Sequence, residues 1–261
     1  MQKLTGKVAL VTGGSRGVGK GIAAELNRSG AIVYATGRTV ADTFSAPGGV
    51  IPIRCDHRDD EQVAAAFHRL ADEQGRLDIL VNNVWGGYER MVEEGRFTWA
   101  EPFWRQPRWR WDVMFQAGVR AHYVASQLAA RMMVEQHSGL IVNISVWAAQ
   151  KFIGNTAYGV AKAATDKLTA DTAHELRPYN VAVVSLYPGL VRTESVLAAG
   201  VFDLSNSESP EFTGRAIAAL AADADVMRRS GQVLVAAALA REYGFTDIDG
   251  KTPRPLTLDE V

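Results

Sequence analysis

The sequence predicts an α/β fold in one domain, a doubly wound parallel sheet of about seven strands with helices on both faces. Three observations predict it. Short β-branched apolar runs alternate with stretches of helical apolar period from residue 8 to residue 236, and parallel strands need such crossover helices. A glycine-rich turn separates the first run from the first helical stretch. The 261 residues, 47% of them hydrophobic, can fill one core without division.

In order, Val8-Ala9-Leu10-Val11 is a strand, residues 18–29 form a helix closed by Gly30, and residues 31–36 are a second buried strand. A strand at 50–55, a helix at 59–74 and a strand at 78–83 follow. Residues 109–134 read as one long helix, 140–145 as a strand, 156–176 as a helix and 181–186 as a strand. A helix at 212–222 and a strand at 232–236 complete the Rossmann-like pattern. Ligands of such sheets bind at the carboxyl ends of the strands. Residues 84–111 and 190–213 leave those ends and are expected to be substrate-side loops. The polar tail 247–261 is expected to be irregular and carries no assigned chemistry.

The chain opposes 28 Lys and Arg with 29 Asp and Glu, so no global field favours nucleic acid or an anionic membrane. A small, roughly neutral partner fits better. Cys55 is the only cysteine, which excludes an internal disulfide framework and fits a reducing compartment. The polar start lacks the pattern of a secretion signal, and no apolar run could span a bilayer. The expectation is a cytoplasmic protein.

Thr12-Gly13-Gly14-Ser15-Arg16-Gly17-Val18-Gly19 joins strand to helix, where bare amides and the positive helix end can hold a phosphate. Two other chemistries share these residues. Gly13-Gly14-Ser15-Arg16-Gly17 spells a nucleophile elbow with Ser15 as nucleophile, but the last histidine is His174 and the acids near it in sequence lie on its own helix. Gly14 to Lys20 resembles a phosphate-loop NTPase motif, with Gly21 where that motif wants Ser or Thr. A purely structural glycine turn is the remaining alternative. At the end of the second strand, Thr36-Gly37-Arg38 lacks the acid expected of an NAD site. Arg38 with Arg16 could pair a 2′-phosphate through planar donors, so NADP(H) is the expected nucleotide; otherwise both are solvated surface residues. Asp56 is placed to bond an adenine amine and Asn83 lies beside the same crevice, although either could cap a helix.

Tyr158 and Lys162 are four apart on a helix and share one face. A cation beside a phenol lowers its pKa from near 10 toward the range a general acid needs. Ser145 ends the preceding strand, where its hydroxyl could bond a substrate carbonyl or merely cap a turn. Thr193, after Pro188-Gly189-Leu190-Val191-Arg192, could hold a carboxamide. Five of the six tryptophans lie within residues 85–111 with Tyr88, Phe97 and Phe103. That segment suggests a bulky apolar ketone, aldehyde or alcohol as substrate, or else a lid or subunit contact. Arg105, Arg108 and Arg110 there read as a solvated charged face. No nucleic-acid motif and no metal-ligand spacing appear.

Together these residues resemble the short-chain dehydrogenase/reductase family. Its Thr-Gly-x-x-x-Gly-x-Gly, Ser before Tyr-x-x-x-Lys, and Pro-Gly before Thr are matched over about residues 5–236. Residues 111–123 and Leu239 to Gly244 further resemble one subgroup of it. The resemblance implies an oxidoreductase in which Tyr158 exchanges a proton, Ser145 orients a carbonyl, and Lys162 bonds the nicotinamide ribose during hydride transfer. It implies nucleotide contacts at Gly13, Ser15, Arg16, Gly17, Val18, Gly19, Arg38, Asp56, His57, Asn83, Gly189, Val191 and Thr193, besides Tyr158 and Lys162. It also implies a homodimer or homotetramer joined through helices 109–134 and 156–176. Two departures stand out. Asn-Asn-Ala-Gly is Asn82-Asn83-Val84-Trp85 here, and Gly118 stands where many members carry a relay asparagine. A nucleotide sensor with little turnover is the rival expectation that Gly118 raises.

Overall fold

The computed structural model describes residues 3–44 and 49–261, so the first two residues of the polar start lie outside it. Its main sheet contains β1 (Val8–Thr12), β2 (Ile32–Gly37), β3 (Ile51–Arg54), β4 (Ile79–Asn82), β7 (Gly139–Ile144), β8 (Val181–Tyr187) and β9 (Val233–Val235). These run parallel in the order β3-β2-β1-β4-β7-β8-β9. The doubly wound expectation therefore holds, strand for strand.

Period-two alternation assigns each strand to two cores. On one face Ala9 and Val11 pack with α1 (Gly17–Arg28), α7 (Pro210–Ala222) and α8 (Ala236–Tyr243). On the other, Val8 and Leu10 pack with α2 (Asp60–Gln74), α4 (Ala121–Gln136) and α5 (Thr156–Leu176). Helices α1 and α7 approach closely because Gly21 and Gly214 carry no Cβ; one built on Gly21 would strike the Pro210 backbone. That contact explains the glycine after Lys20. Side-chain caps set the starts of α2 at Asp59, α5 at Asn155 and α7 at Ser209.

A row of polar residues crosses the centre of the sheet. Asn82, Asn143 and Ser185 are register partners on β4, β7 and β8, and all are fully buried. Asn82 Nδ2 donates to Asn143 Oδ1 and to Ser126 Oγ, each at 2.8 Å. Asn143 Nδ2 donates to Thr169 Oγ1 at 2.8 Å, and Thr169 shares a hydrogen bond with Ser185. These bonds offset the burial of most of the polar atoms in the row, although Asn82 Oδ1 is left without a partner.

The long helix differs from the reading of 109–134. It is α3 (Arg108–Met114), a π turn (Phe115–Arg120) containing Gly118, and then α4. The hairpin of β5 (Val92–Glu93) and β6 (Arg96–Phe97), the short helix α6 (Glu194–Ala199), and α8 went unpredicted. Two-residue strands and a six-residue helix are too short to show a period, and α8 follows β9 without a break.

Arg110 corrects the solvated-face reading. Arg105 and Arg108 are exposed, but Arg110 is fully buried. It donates to the carbonyls of Thr98 and Arg90 and to Thr98 Oγ1 at 2.8–3.1 Å, and it stacks against Trp99 and Trp109. The arginine thus ties the hairpin segment to α3. The tail is irregular apart from one short turn at Leu258–Glu260, yet it is anchored. Buried Asp247 accepts from Ser209 and from Arg192 at 2.9 Å, and Asn206 and Arg254 exchange two hydrogen bonds. Among the described residues no helix is long and apolar enough to cross a membrane.

Candidate active site

The strand order reverses between β1 and β4, opening a crevice at their carboxyl ends, and the glycine turn lies across it. Gly13 has φ 69° and Gly17 φ 53°, conformations natural to glycine. A Cβ on Gly13 would lie 2.7 Å from Val84 Cα, and one on Gly19 would strike Asn83 and the Gly13 carbonyl. Asn83 braces this turn: Nδ2 donates to the carbonyls of Thr12 and Gly13, each at 3.0 Å, and its amide donates to Thr12 Oγ1. Helix α1 has no side-chain cap at Arg16. Instead the Gly17 amide donates to the Glu194 carboxylate at 3.0 Å. The positive helix end therefore already holds an anionic group, as an anion-binding turn should, and Val18 follows in the first turn.

Beyond the turn, Arg16 and Arg38 are exposed, and Arg16 lies 3.6 Å from Glu89. Gly37 ends β2 with no side chain, and a Cβ there would displace the Ser15 hydroxyl. Asp56 is engaged by Arg58, a residue sequence reasoning missed. Arg58 donates its amide and Nε at 3.1 Å and Nη2 at 2.6 Å, and this guanidinium holds the carboxyl down at about 2. The His57 ring is buried and shares a 2.7 Å hydrogen bond with Thr36 Oγ1. Burial lowers its pKa to about 4, so its neutral side chain belongs to the floor beneath the crevice.

Asn155 caps α5 by accepting from the Tyr158 amide at 3.0 Å and donates to the Trp99 carbonyl at 2.8 Å. The cap fixes where Tyr158 starts the helix. One turn on, Lys162 Nζ donates to the Ile144 carbonyl at 3.0 Å. Ser145 Oγ, fully buried, points back to the Lys162 carbonyl at 3.4 Å. The ends of β7 and α5 are thus tied together at the three residues singled out by spacing. Burial pushes the Tyr158 phenol up to about 12, opposed by a hydrogen bond from Tyr88. Burial draws the Lys162 ammonium down to about 7, opposed by the Asp166 carboxylate. The expected direct coupling of Lys162 to Tyr158 is not among the contacts; the ammonium sits instead over the face of Trp85, 4.0 Å from the ring centroid.

Trp85 and Gly118 explain each other. A Cβ on Gly118 would lie 2.5 Å from Trp85 Cζ3, so the indole fills the room that a side chain there would take. The Gly118 carbonyl accepts from the Ala121 amide within the helix. Trp85 also meets Tyr158 edge-on at 5.6 Å, and Tyr88 and Trp99 lie 5.9 and 5.4 Å from Tyr158. The tryptophan-rich segment is therefore divided: these three rings surround Tyr158, while Phe103 and Trp104 are exposed. Trp147 packs edge-on against Tyr187.

The loop after β8 closes against the glycine turn. Thr193 caps α6, and its Cγ2 would lie 3.3 Å from a Cβ on Gly17. The Gly189 amide donates to Glu208 at 2.9 Å, and Val191 bridges to the same residue. Burial pushes Glu208 up to about 8, and its second oxygen has no partner.

The rival chemistries find no support in this geometry. The two buried histidine rings nearest the turn are bonded to Thr36 and to the Val84 carbonyl and do not reach Ser15. Gly21 is a helix-packing residue. Among the described residues no group of three or more His, Cys, Asp or Glu could hold a metal ion.

A doubly wound sheet, a glycine turn at its switch point and a Ser, Tyr, Lys group beside it define a nucleotide-dependent dehydrogenase or reductase class. The sequence profile of the short chain dehydrogenases matches residues 7–200. The chain is 41% identical to mouse and 40% identical to human "Dehydrogenase/reductase SDR family member 1", covering 95% of this chain and 85% of each relative. A short-chain type dehydrogenase/reductase from Mycobacterium marinum superimposes with TM-score 0.75 at 28% identity, covering 90% of this chain and 95% of that one. A 7α-hydroxysteroid dehydrogenase complexed with NADH and 7-oxo glycochenodeoxycholic acid gives TM-score 0.75 at 26% identity, covering 90% and 94%. The chain belongs to the short-chain dehydrogenase/reductase family of oxidoreductases, which use NAD or NADP, and it is similar to the subgroup that residues 111–123 resemble.

Proposed function

We propose that the protein is an NADP(H)-dependent oxidoreductase acting on a bulky apolar ketone or aldehyde, or the corresponding alcohol. The observation that carries this reading is the convergence of Ser145, Tyr158 and Lys162 on the crevice edge beside a turn whose helix end already attracts a carboxylate. The turn fits a pyrophosphate. Gly13, Ser15, Arg16, Gly17, Val18 and Gly19 would hold it, with Asn83 bracing them from below. Arg16 and Arg38 would pair a 2′-phosphate, and the absence of an acid from Thr36-Gly37-Arg38 favours NADP(H) over NAD(H). Asp56 and the His57 backbone would take the adenine, and Gly189, Val191 and Thr193 the carboxamide end.

When bound, the nicotinamide supplies or accepts the hydride. Tyr158 donates a proton to the carbonyl oxygen as it becomes a hydroxyl, and takes one back in the reverse direction. Ser145 holds that oxygen by a hydrogen bond that strengthens as negative charge develops. Lys162 would bond the ribose, and in turning from Trp85 to do so would bring its charge toward the Tyr158 phenol. Trp99 and Trp85 form an apolar wall beside Tyr158 and limit water at the reacting centre. Chemistry of this kind fits an intracellular enzyme. The similarity to a hydroxysteroid dehydrogenase supports a large apolar substrate. An apolar groove lined by Phe115, Val119, Tyr123, Ala164 and Leu168 supports assembly as a homo-oligomer through the α4 and α5 region.

The test is a titration with NADPH and NADH followed by tryptophan quenching. NADPH binds more tightly; equal or reversed affinities sink the Arg16 and Arg38 assignment. Tyr158→Phe lowers turnover of a panel of aryl aldehydes and ketones by about 100-fold or more with NADPH affinity retained. Near-normal turnover removes Tyr158 as the acid. Nucleotide binding without oxidation of NADPH across the panel favours the sensor reading.

A further inference from the structure

We propose that Tyr88 is the proton relay of this site, passing protons between solvent and Tyr158. The inference rests on the oxidoreductase reading above and deepens it. Tyr88 Oη donates to Tyr158 Oη at 2.9 Å, which leaves the Tyr158 proton free for a substrate oxygen. Tyr88 is 47% exposed as a residue, so the phenol in contact with Tyr158 belongs to a side chain that reaches the surface, although burial raises its own pKa well above the ordinary 10.

Position 118 offers no asparagine side chain for a relay. Gly118 has no side chain, its carbonyl is taken within the helix, and the Trp85 indole fills the adjoining space. Trp85 also covers the Lys162 ammonium, whose Nζ donates to the Ile144 carbonyl. A buried phenol that must give up a proton on every cycle needs a partner that can replace it, and Tyr88 is the hydroxyl in contact.

The step balances. In reduction, hydride from the nicotinamide adds to the carbonyl carbon while the Tyr158 O–H bond breaks and its proton passes to the carbonyl oxygen. The nicotinamide is oxidised and the carbonyl becomes an alcohol. The Tyr88 proton then moves to the Tyr158 oxygen, and Tyr88 takes a proton from water or buffer. In oxidation of the alcohol every transfer reverses.

Tyr88→Phe keeps the ring packing and removes only the hydroxyl. With NADPH and 4-nitrobenzaldehyde, this variant oxidises the first NADPH per site at the wild-type rate, because Tyr158 starts protonated. Its steady-state rate then falls by about tenfold or more, with a larger solvent deuterium effect than wild type. Tyr158→Phe, run beside it, loses both phases. Tyr88→Phe with both phases unchanged, or with both lowered equally, overturns the relay and leaves the Tyr158 reading standing. A wild-type protein that never oxidises NADPH with the aldehyde overturns the reading and the relay together. A measurement without nucleotide decides the premise: the tyrosine 13Cζ resonance that Tyr158→Phe removes shifts in Tyr88→Phe. An unmoved resonance overturns the relay.

Discussion

Glu194 is an unusual residue to find at a helix end proposed to hold a phosphate. Its carboxylate occupies the Gly17 amide that a pyrophosphate would use, and two anions there repel. Glu194→Gln is expected to tighten NADPH binding by about fivefold, of the order of 1 kcal/mol for a charge at a helix N-terminus, as read by tryptophan quenching. An unchanged affinity would mean that the side chain swings away freely. At this scale, residues in fixed local spacing were legible in the sequence. Gly13 to Gly19, and Tyr158 with Lys162, announce themselves because one turn or one helix face dictates the interval, and the structure brings Ser145 to them. Tyr88 and the Trp85–Gly118 pair were not legible. Their contacts join segments distant along the chain, and a single sequence carries no register between distant segments.

At the scale of elements, the helix from α3 to α4 shows what a period conceals. Apolar spacing predicted one helix, and the chain is helical throughout, but a π turn shifts its face at Gly118. That shift and the missing side chain admit the indole. Gly118→Asn alone is expected to destabilise the fold by about 1–3 kcal/mol through overpacking, measured by denaturant unfolding. Trp85→Ala combined with it recovers part of that loss. A single variant as stable as wild type would show that Trp85 repacks at no cost. Elsewhere element prediction failed where length failed, as in the hairpin β5–β6 and in α6, and succeeded for every strand of the main sheet.

Across the whole molecule, two buried histidines set the response to acid. Burial holds His57 near 4 and His122 near 3, below the ordinary 6.5. At these two sites the unfolded chain therefore binds more protons than the folded one once the pH drops below about 6.5, and their contribution to stability falls with pH through that window toward 4 and below, offset in part by Glu208, whose raised pKa acts with the opposite sign above about 4.5. His122 is the deeper of the two, its Nε2 bonded to the Val84 carbonyl at 3.0 Å. His122→Gln is expected to flatten the fall in urea midpoint between pH 6.5 and 4.5. A slope equal to that of wild type would assign acid sensitivity to other groups. Composition revealed that the histidines were few, but only the packed fold reveals that these two are sealed.

The polar row through Asn82, Asn143 and Ser185 has a consequence for how this sheet finds its alignment. Strands rich in valine and isoleucine can slide past one another with little change in apolar contact, so such residues carry almost no addressing information. One polar position per strand, each needing its neighbour, supplies an address: a slipped pairing would bury unsatisfied amides. Each strand end then falls at a fixed height, with Asn83 one residue beyond Asn82, Ser145 two beyond Asn143 and Pro188 three beyond Ser185. The same row that aligns the interior levels the rim on which the proposed chemistry stands.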